Sequence, residues 1–305
     1  MKTTRIMAMA AAALLLIGLT ACENEENRPL PGPDPEVGAF DPDGATTALF
    51  SVSPTKQVRL SRGNLQYQAS TGTWRFAPKP YDCCAVDNEG IAEGYDGWID
   101  LFGWGTSGWE SGAVAFQPWA VSEEYSDYWP GGSPNNSLTV FCAEADWGVY
   151  NAIQGGGNHV GMWRTLTRDE WTHLLGDSEE RTGKWASATI DGLHGIVVLP
   201  DSWSLPDGLS FASGQSAGWA TNSYTVDEWE SMEKAGAVFL PAAGLRQGTT
   251  CGRFAMWPNA TGIYWSSTAA DVSAAYGINF IGSDYIWPGH GVRSWGCSVR
   301  LVKDN

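Results

Sequence analysis

The sequence predicts an α+β fold in which two short helices pack on small antiparallel or mixed sheets joined by long irregular stretches. Three observations predict it. Apolar residues alternate with polar ones over short runs, the pattern of half-buried strands. Only two segments carry a helix start signal. The 305 residues include 37 glycines and 17 tryptophans, the composition of a loop-rich chain whose interior is filled by large aromatics. Each buried aromatic removes ~150–250 Å² from water, so most of the tryptophans are expected in the core.

From the start of the chain, Lys2 and Arg5 precede an apolar run, Ile6 to Leu19, that ends in Leu19-Thr20-Ala21-Cys22. A basic beginning, an apolar stretch shorter than the ~20 residues of a membrane span, and a small-residue cleavage site predict a signal peptide over residues 1–21. The cysteine placed directly after it resembles the bacterial lipobox, which predicts a diacylglycerol on the Cys22 thiol and a membrane as the first partner. Residues 22–47 then read as a tether. Glu23, Glu25 and Glu26 lead into Pro29, Pro31, Pro33 and Pro35, and too few apolar residues are present to fold. An acidic cluster next to the lipidated cysteine resembles the surface-export signal of Bacteroidetes lipoproteins, so the expected location is the outer membrane, facing the cell exterior.

A single domain is expected from 48 to 305. Its first element reads as a hairpin in which Val58, Leu60, Leu65 and Tyr67 alternate with polar residues and Trp74 and Phe76 follow the turn Ser70-Thr71-Gly72-Thr73. From Tyr81 to Asn136 regularity fades into glycines, acids and aromatics. Two capping boxes then start helices: Thr167 with Glu170 ahead of Trp171 and Leu174, and Thr225 with Glu228 ahead of Trp229 and Met232. Each helix leads to an apolar run closing on Leu-Pro, Ile196–Leu199 and Val238–Leu240, as central strands do. Three more strands are expected at Ile263–Ser267, Tyr276–Ile281 and Cys297–Val302. Between the last two, Gly282 to Gly296 reads as an exposed loop. Its Asp284, Tyr285, Trp287, His290, Arg293 and Trp295 are the candidate ligand contacts, because the flanking strands already supply the core.

Charge and motif content exclude several functions. Removing residues 1–21 takes away Lys2 and Arg5 and no acid, so the net charge moves from −16 to −18, which disfavours nucleic acid. The four histidines show no metal-binding spacing, so no metal or other cofactor is expected. There is no nucleophile elbow and no phosphate loop. With Cys22 lipidated, five cysteines remain. Adjacent Cys83 and Cys84 can bond each other only with strain, Cys142 could take one of them, and a Cys251–Cys297 disulfide would staple a loop to the last strand in an oxidising compartment.

The strings RGNLQYQASTGTWRFAP, GWIDLFGWGT, WRTLTRDEW, LHGIVVLPDSW, GAVFLPAAGLR, YWSST and SVRLVKD resemble a group of Bacteroidetes surface lipoproteins similar to the Fibrobacter succinogenes major paralogous domain. More remotely, they are similar to the formylglycine-generating-enzyme branch of the C-type lectin fold. The resemblance runs from about Lys56 to Asp304 and implies a C-type-lectin-like fold with ligand contacts on loops near the C-terminal strands. It supplies no ligand. Calcium-dependent sugar binding in that fold needs carboxylates that Ser133-Pro134-Asn135 and Trp257-Pro258-Asn259 lack. The motif of the oxidase is not visible around Cys251 or Cys297. The expected function is therefore a non-catalytic binding module or adhesin for a glycan or protein ligand. An exported enzyme on the same scaffold and a structural component of a surface assembly are the alternatives.

Overall fold

A computed structural model describes residues 39–305 except 177, 180, 215–217, 253–260, 283 and 284; the side chains of 85, 86, 252, 281 and 285–287 are also left undescribed. The expected signal peptide, the expected lipid anchor at Cys22, most of the expected tether and Asp284 therefore lie outside the described residues.

The architecture is α+β with small sheets and few helices. One sheet joins the two ends of the domain. Strands β1 (Phe50–Ser53), β2 (Lys56–Leu60), β15 (Leu301–Asp304) and β5 (Arg164–Thr165) lie side by side in that order, with Val302 opposite Leu60 and Arg164. The folded part starts ahead of the expected boundary at 48, since Ala45 is buried and bridges to Ser61. Strands β3 (Leu65–Gln68) and β4 (Thr73–Phe76) form the expected hairpin, while Val58 and Leu60 belong to the terminal sheet instead.

A second four-stranded sheet runs β8 (Ser223–Tyr224), β6 (Trp185–Ile190), β7 (Leu193–Val198), β9 (Val238–Pro241). Here β7 is central and β9 is an edge strand, so one apolar run predicted to be central is covered on its faces but not on both sides. The remaining strands are a short pair, β10 (Leu245–Gln247) with β11 (Thr250–Gly252), and a three-stranded meander, β12 (Thr261–Ala269), β13 (Ala274–Ile281) and β14 (Tyr285–Val292).

Helices α2 (Arg168–Leu174) and α3 (Val226–Lys234) both start with the predicted capping boxes. A third helix, α1 (Trp147–Tyr150), is a single turn capped by Asp146, whose carboxylate accepts from the Gly148 N–H at 3.0 Å. Glu170 does more than cap. Its carboxylate takes a two-pronged bond from the Arg164 guanidinium at 2.7 and 2.8 Å and one from Lys56 at 3.2 Å, which ties α2 to the terminal sheet.

Three apolar clusters fill the interior. The first is aromatic-rich and includes Trp74, Trp104, Trp147, Trp163 and Trp265. The second lies under β1, β2, α2 and the meander, and the third under α3. Buried indoles need an acceptor for their one N–H. Trp104 donates to the Ser266 carbonyl at 2.9 Å and Trp265 to the Phe102 carbonyl at 2.7 Å, which locks the irregular segment near residue 103 onto β12.

Candidate functional site

The stretch from Gly282 to Gly296, expected as a loop, is mostly strand. Residues 285–292 form β14 and pair along their whole length with β13, from Tyr285 opposite Ile281 to Val292 opposite Ala274. The alternation of small and bulky residues in Ala274–Ile281 has a partner in YIWPGHGV, whose glycines and proline hid the strand pattern. Gly277, Gly289 and Gly291 are on the face carrying Trp265, and a Cβ on Gly291 would come within 3.0 Å of the Trp265 ring and 3.2 Å of Trp295. Gly291 admits the two tryptophan rings, while Gly277 lets the Tyr264 backbone approach.

The candidate contacts separate accordingly. Tyr285 and Trp287 are strand positions whose side chains are not described. Trp295 is half-buried against the aromatic core, folded back over β14 rather than offered to a ligand. Arg293 is a correction of the same kind, being fully buried. Its guanidinium donates to the carbonyls of Ala274 at 3.2 Å, Tyr128 at 3.3 Å, Asp271 at 2.9 Å, and Pro134, and it sits 4.6 Å from the Trp104 ring. Burial pushes this guanidinium down to about 10, so it stays charged at neutral pH. Five fixed N–H donors and a planar cation suit a group that must satisfy several carbonyls at once. Among the candidates, His290 is exposed on β14, opposite Tyr276, whose ring carries the Arg168 guanidinium at 4.4 Å.

What Arg293 holds is the more informative finding. It clamps Tyr128 and Pro134, from the irregular segment, to the turn between β12 and β13. On that clamped surface Trp129 donates its indole N–H to the Val272 carbonyl at 2.7 Å and packs against Tyr125, ring centroids 6.4 Å apart. Leu138 N–H bonds the Ser267 carbonyl and Ala269 N–H bonds the Ser137 hydroxyl, which carries the segment on to Val140 and Phe141. These two are 87 % and 90 % exposed. Val140 has φ +51°, a left-handed conformation that is an outlier for a β-branched residue. Tyr125 and Val272 are exposed as well. Asp271, at the turn, is held below the usual carboxylate range by N–H and hydroxyl donors from Ser273. A groove of about 400 Å³ beside Asp127 adds Ile91, Val114, Trp119 and Val121.

Sequence reasoning missed Tyr125, Trp129, Val140, Phe141 and Val272 as a group. Nothing local in the sequence says that Thr139–Phe141 turns outward.

The Cys251–Cys297 disulfide is also corrected. Both are free thiols, and the strand of Arg246 runs between them, because Arg246 pairs with Cys251 on one side and with Gly296 on the other. Two strand spacings are roughly 10 Å, beyond the ~7 Å Cα separation that a disulfide spans. Among the described residues no group of three His, Cys, Asp or Glu side chains is arranged to hold a metal, and no helix is long and apolar enough to cross a membrane.

Compared with known proteins, the chain matches no protein family, no curated protein and no solved structure.

Proposed function

We propose that the chain is a non-catalytic binding module, an adhesin-like surface protein, and that its contact surface is the patch made by Tyr125, Trp129, Val140, Phe141 and Val272. The observation that carries this is the pair Val140–Phe141. Two adjacent large apolar side chains are held almost entirely in water on a strained turn, more exposed than any other large apolar residue among those described. Exposed apolar surface of this kind, presented on a fixed backbone, is what a protein partner uses as an anchor.

The finer arrangement we propose is C-type-lectin-like. The pairing of β2 with β15 and the seating of α2 near the meander are consistent with it. We further propose that Cys22 carries a lipid and that the acidic residues after it direct the protein to the outer face of the outer membrane. Loss of acyl labelling in Cys22→Ala is the expected result, and retained labelling overturns the anchor.

The binding surface is tested by presenting the purified chain to arrays of surface proteins and glycans, then repeating each hit with Tyr125→Ser and Phe141→Ser. Truncating an interface anchor costs about 2 kcal/mol or more, so a loss of roughly thirtyfold in affinity is expected with an unchanged melting temperature. Protein hits that bind both variants as tightly as the parent overturn the assignment.

A further inference from the structure

A second concave surface lies between the β3–β4 hairpin, the segment 107–118 and the end of α1. It is an open groove of about 400 Å³, and its lining includes Tyr67, Trp74, Ser107, Gln117, Tyr150 and Asn151. All ten of its lining residues are uncharged, in a chain with 34 acidic and 18 basic residues.

The polar groups in it are oriented. Asn151 spends both amide hydrogens on backbone carbonyls, donating to Ser107 at 3.0 Å and Trp147 at 3.1 Å, and Gln117 donates to the Glu110 carbonyl at 3.3 Å. Their amide oxygens have no protein donor among the described residues and are fixed as acceptors. The hydroxyls of Tyr67 and Tyr150 likewise have no protein partner among the described residues, although Tyr67 is only 7 % exposed. Tyr150, 39 % exposed, lines the groove together with Tyr67 and Trp74, whose rings pack with centroids 4.5 Å apart. The backbone of the lining is uncrowded at its glycines: a Cβ on Gly72 would meet nothing within 4 Å and one on Gly108 only the Gln117 amide oxygen at 3.9 Å.

We propose that this groove binds a neutral saccharide. Fixed amide acceptors and free phenol groups call for a ligand rich in hydroxyls, which both donate and accept. Aromatic faces accept the C–H faces of a sugar ring. The lack of any charge in the lining leaves nothing to pair with an anionic or cationic ligand. A peptide adding itself as a strand finds no edge here, because β3 is bridged by Ile99 on its outer side and β4 by Gln154. This inference gives the binding-module reading a ligand class at a place separate from the apolar patch.

The experiment titrates the full purified chain with three uncharged hexasaccharides (of α-glucose, β-glucose and N-acetylglucosamine), with an oligogalacturonate as the charged counterpart, and with a mixed peptide library. Calorimetry and tryptophan fluorescence are the readouts. At least one neutral hexasaccharide is expected to bind saturably, with little change between low and high salt. Tyr150→Ala, an exposed substitution, should weaken it at least tenfold, and Ala152→Trp, which fills the groove, should abolish it. Circular dichroism must match the parent in both. Tyr125→Ser and Phe141→Ser should leave sugar binding unchanged, so loss of the patch and loss of the groove read out separately. No binding of any neutral hexasaccharide, tighter binding of the oligogalacturonate or a peptide, or binding indifferent to both groove variants overturns the proposal.

Discussion

The C-terminal meander and the irregular segment from 81 to 146 use aromatic and charged residues in opposite ways. In the meander and the loop that follows it, a glycine-rich stretch with Trp295 and Arg293 has the composition of a binding loop, yet the tryptophan covers the core and the arginine is buried among carbonyls. In the irregular segment, Val140 and Phe141 have the composition of a core strand and stand in water. The difference teaches that exposure follows from which backbone groups are satisfied. A regular strand pairs its own amides and frees its side chains to pack, whereas an irregular segment must have its carbonyls satisfied by side chains from elsewhere. Arg293 does this for Tyr128, Pro134 and Asp271, and Arg246 does it for Leu101, Ala120 and Gly248.

The strongest way to break the comparison is to remove the clamp. Arg293→Ala takes the guanidinium away from four carbonyls, of which only that of Ala274 keeps other N–H donors among the described residues, from Ala270 and Asp271, and opens a cavity beside Trp104; it should destabilise the chain by about 3–5 kcal/mol, as leaving several buried acceptors unpaired does. Urea unfolding measures it. Arg293→Lys should recover only part of the loss, because an ammonium cannot reach carbonyls spread in a plane. A substitution that behaves like a surface residue would show that the clamp is not what holds the irregular segment down.

The next effect is pH-dependent. Asp100, fully buried in the irregular segment, accepts from the Cys84 N–H through one oxygen and leaves the other without a partner. Burial lifts its carboxyl to about 6, against which the Cys84 bond works only partly. Asp146 is lifted to about 6 in the same way. A folded-state value above the unfolded one means that the native chain holds the proton more tightly, so the contribution of Asp100 is most favourable below about pH 4. It falls as pH rises to about 6 and stays low above that. Asp100→Asn should remove this dependence. The stability difference between variant and parent should then change by up to about 3 kcal/mol between pH 4 and pH 7, in favour of the variant at pH 7. A constant difference across that range would refute the buried charge.

The smallest effect sharpens the comparison. Val140→Gly relieves a left-handed backbone at no packing cost, and should hold or raise stability by about 1 kcal/mol. A clear loss of stability in thermal unfolding would mean that the valine packs in a way its exposure denies.

Much of the fold was legible in the sequence because its signals are local. The two capping boxes depend on residues three apart, and both helices begin where Thr167 and Thr225 predict. The hairpin at Ser70–Thr73 and the strand at 276–281 follow from alternation and turn residues, the strands at 196–199 and 238–240 from apolar runs closing on Leu-Pro, and that at 263–267 from its bulky residues, all of them local signals. Strands β1 and β6 escaped notice: Phe50–Ser53 is short, and Trp185–Ile190 is interrupted by small residues. Strand β14 was hidden because Pro288, Gly289 and Gly291 break its pattern, although its pairing with β13 supplies the missing regularity.

The site was far less legible, for a physical reason. By itself the sequence determined the class of fold, the helix starts, the crowding of tryptophans into the core, and the acidic character that disfavours nucleic acid, all properties of composition or near neighbours. Only the tertiary structure decided that Arg293 serves carbonyls far apart along the chain, that the strand of Arg246 separates Cys251 from Cys297, and that Phe141 faces water. Each of these depends on which distant backbone groups come to rest side by side, and a linear pattern carries no record of that.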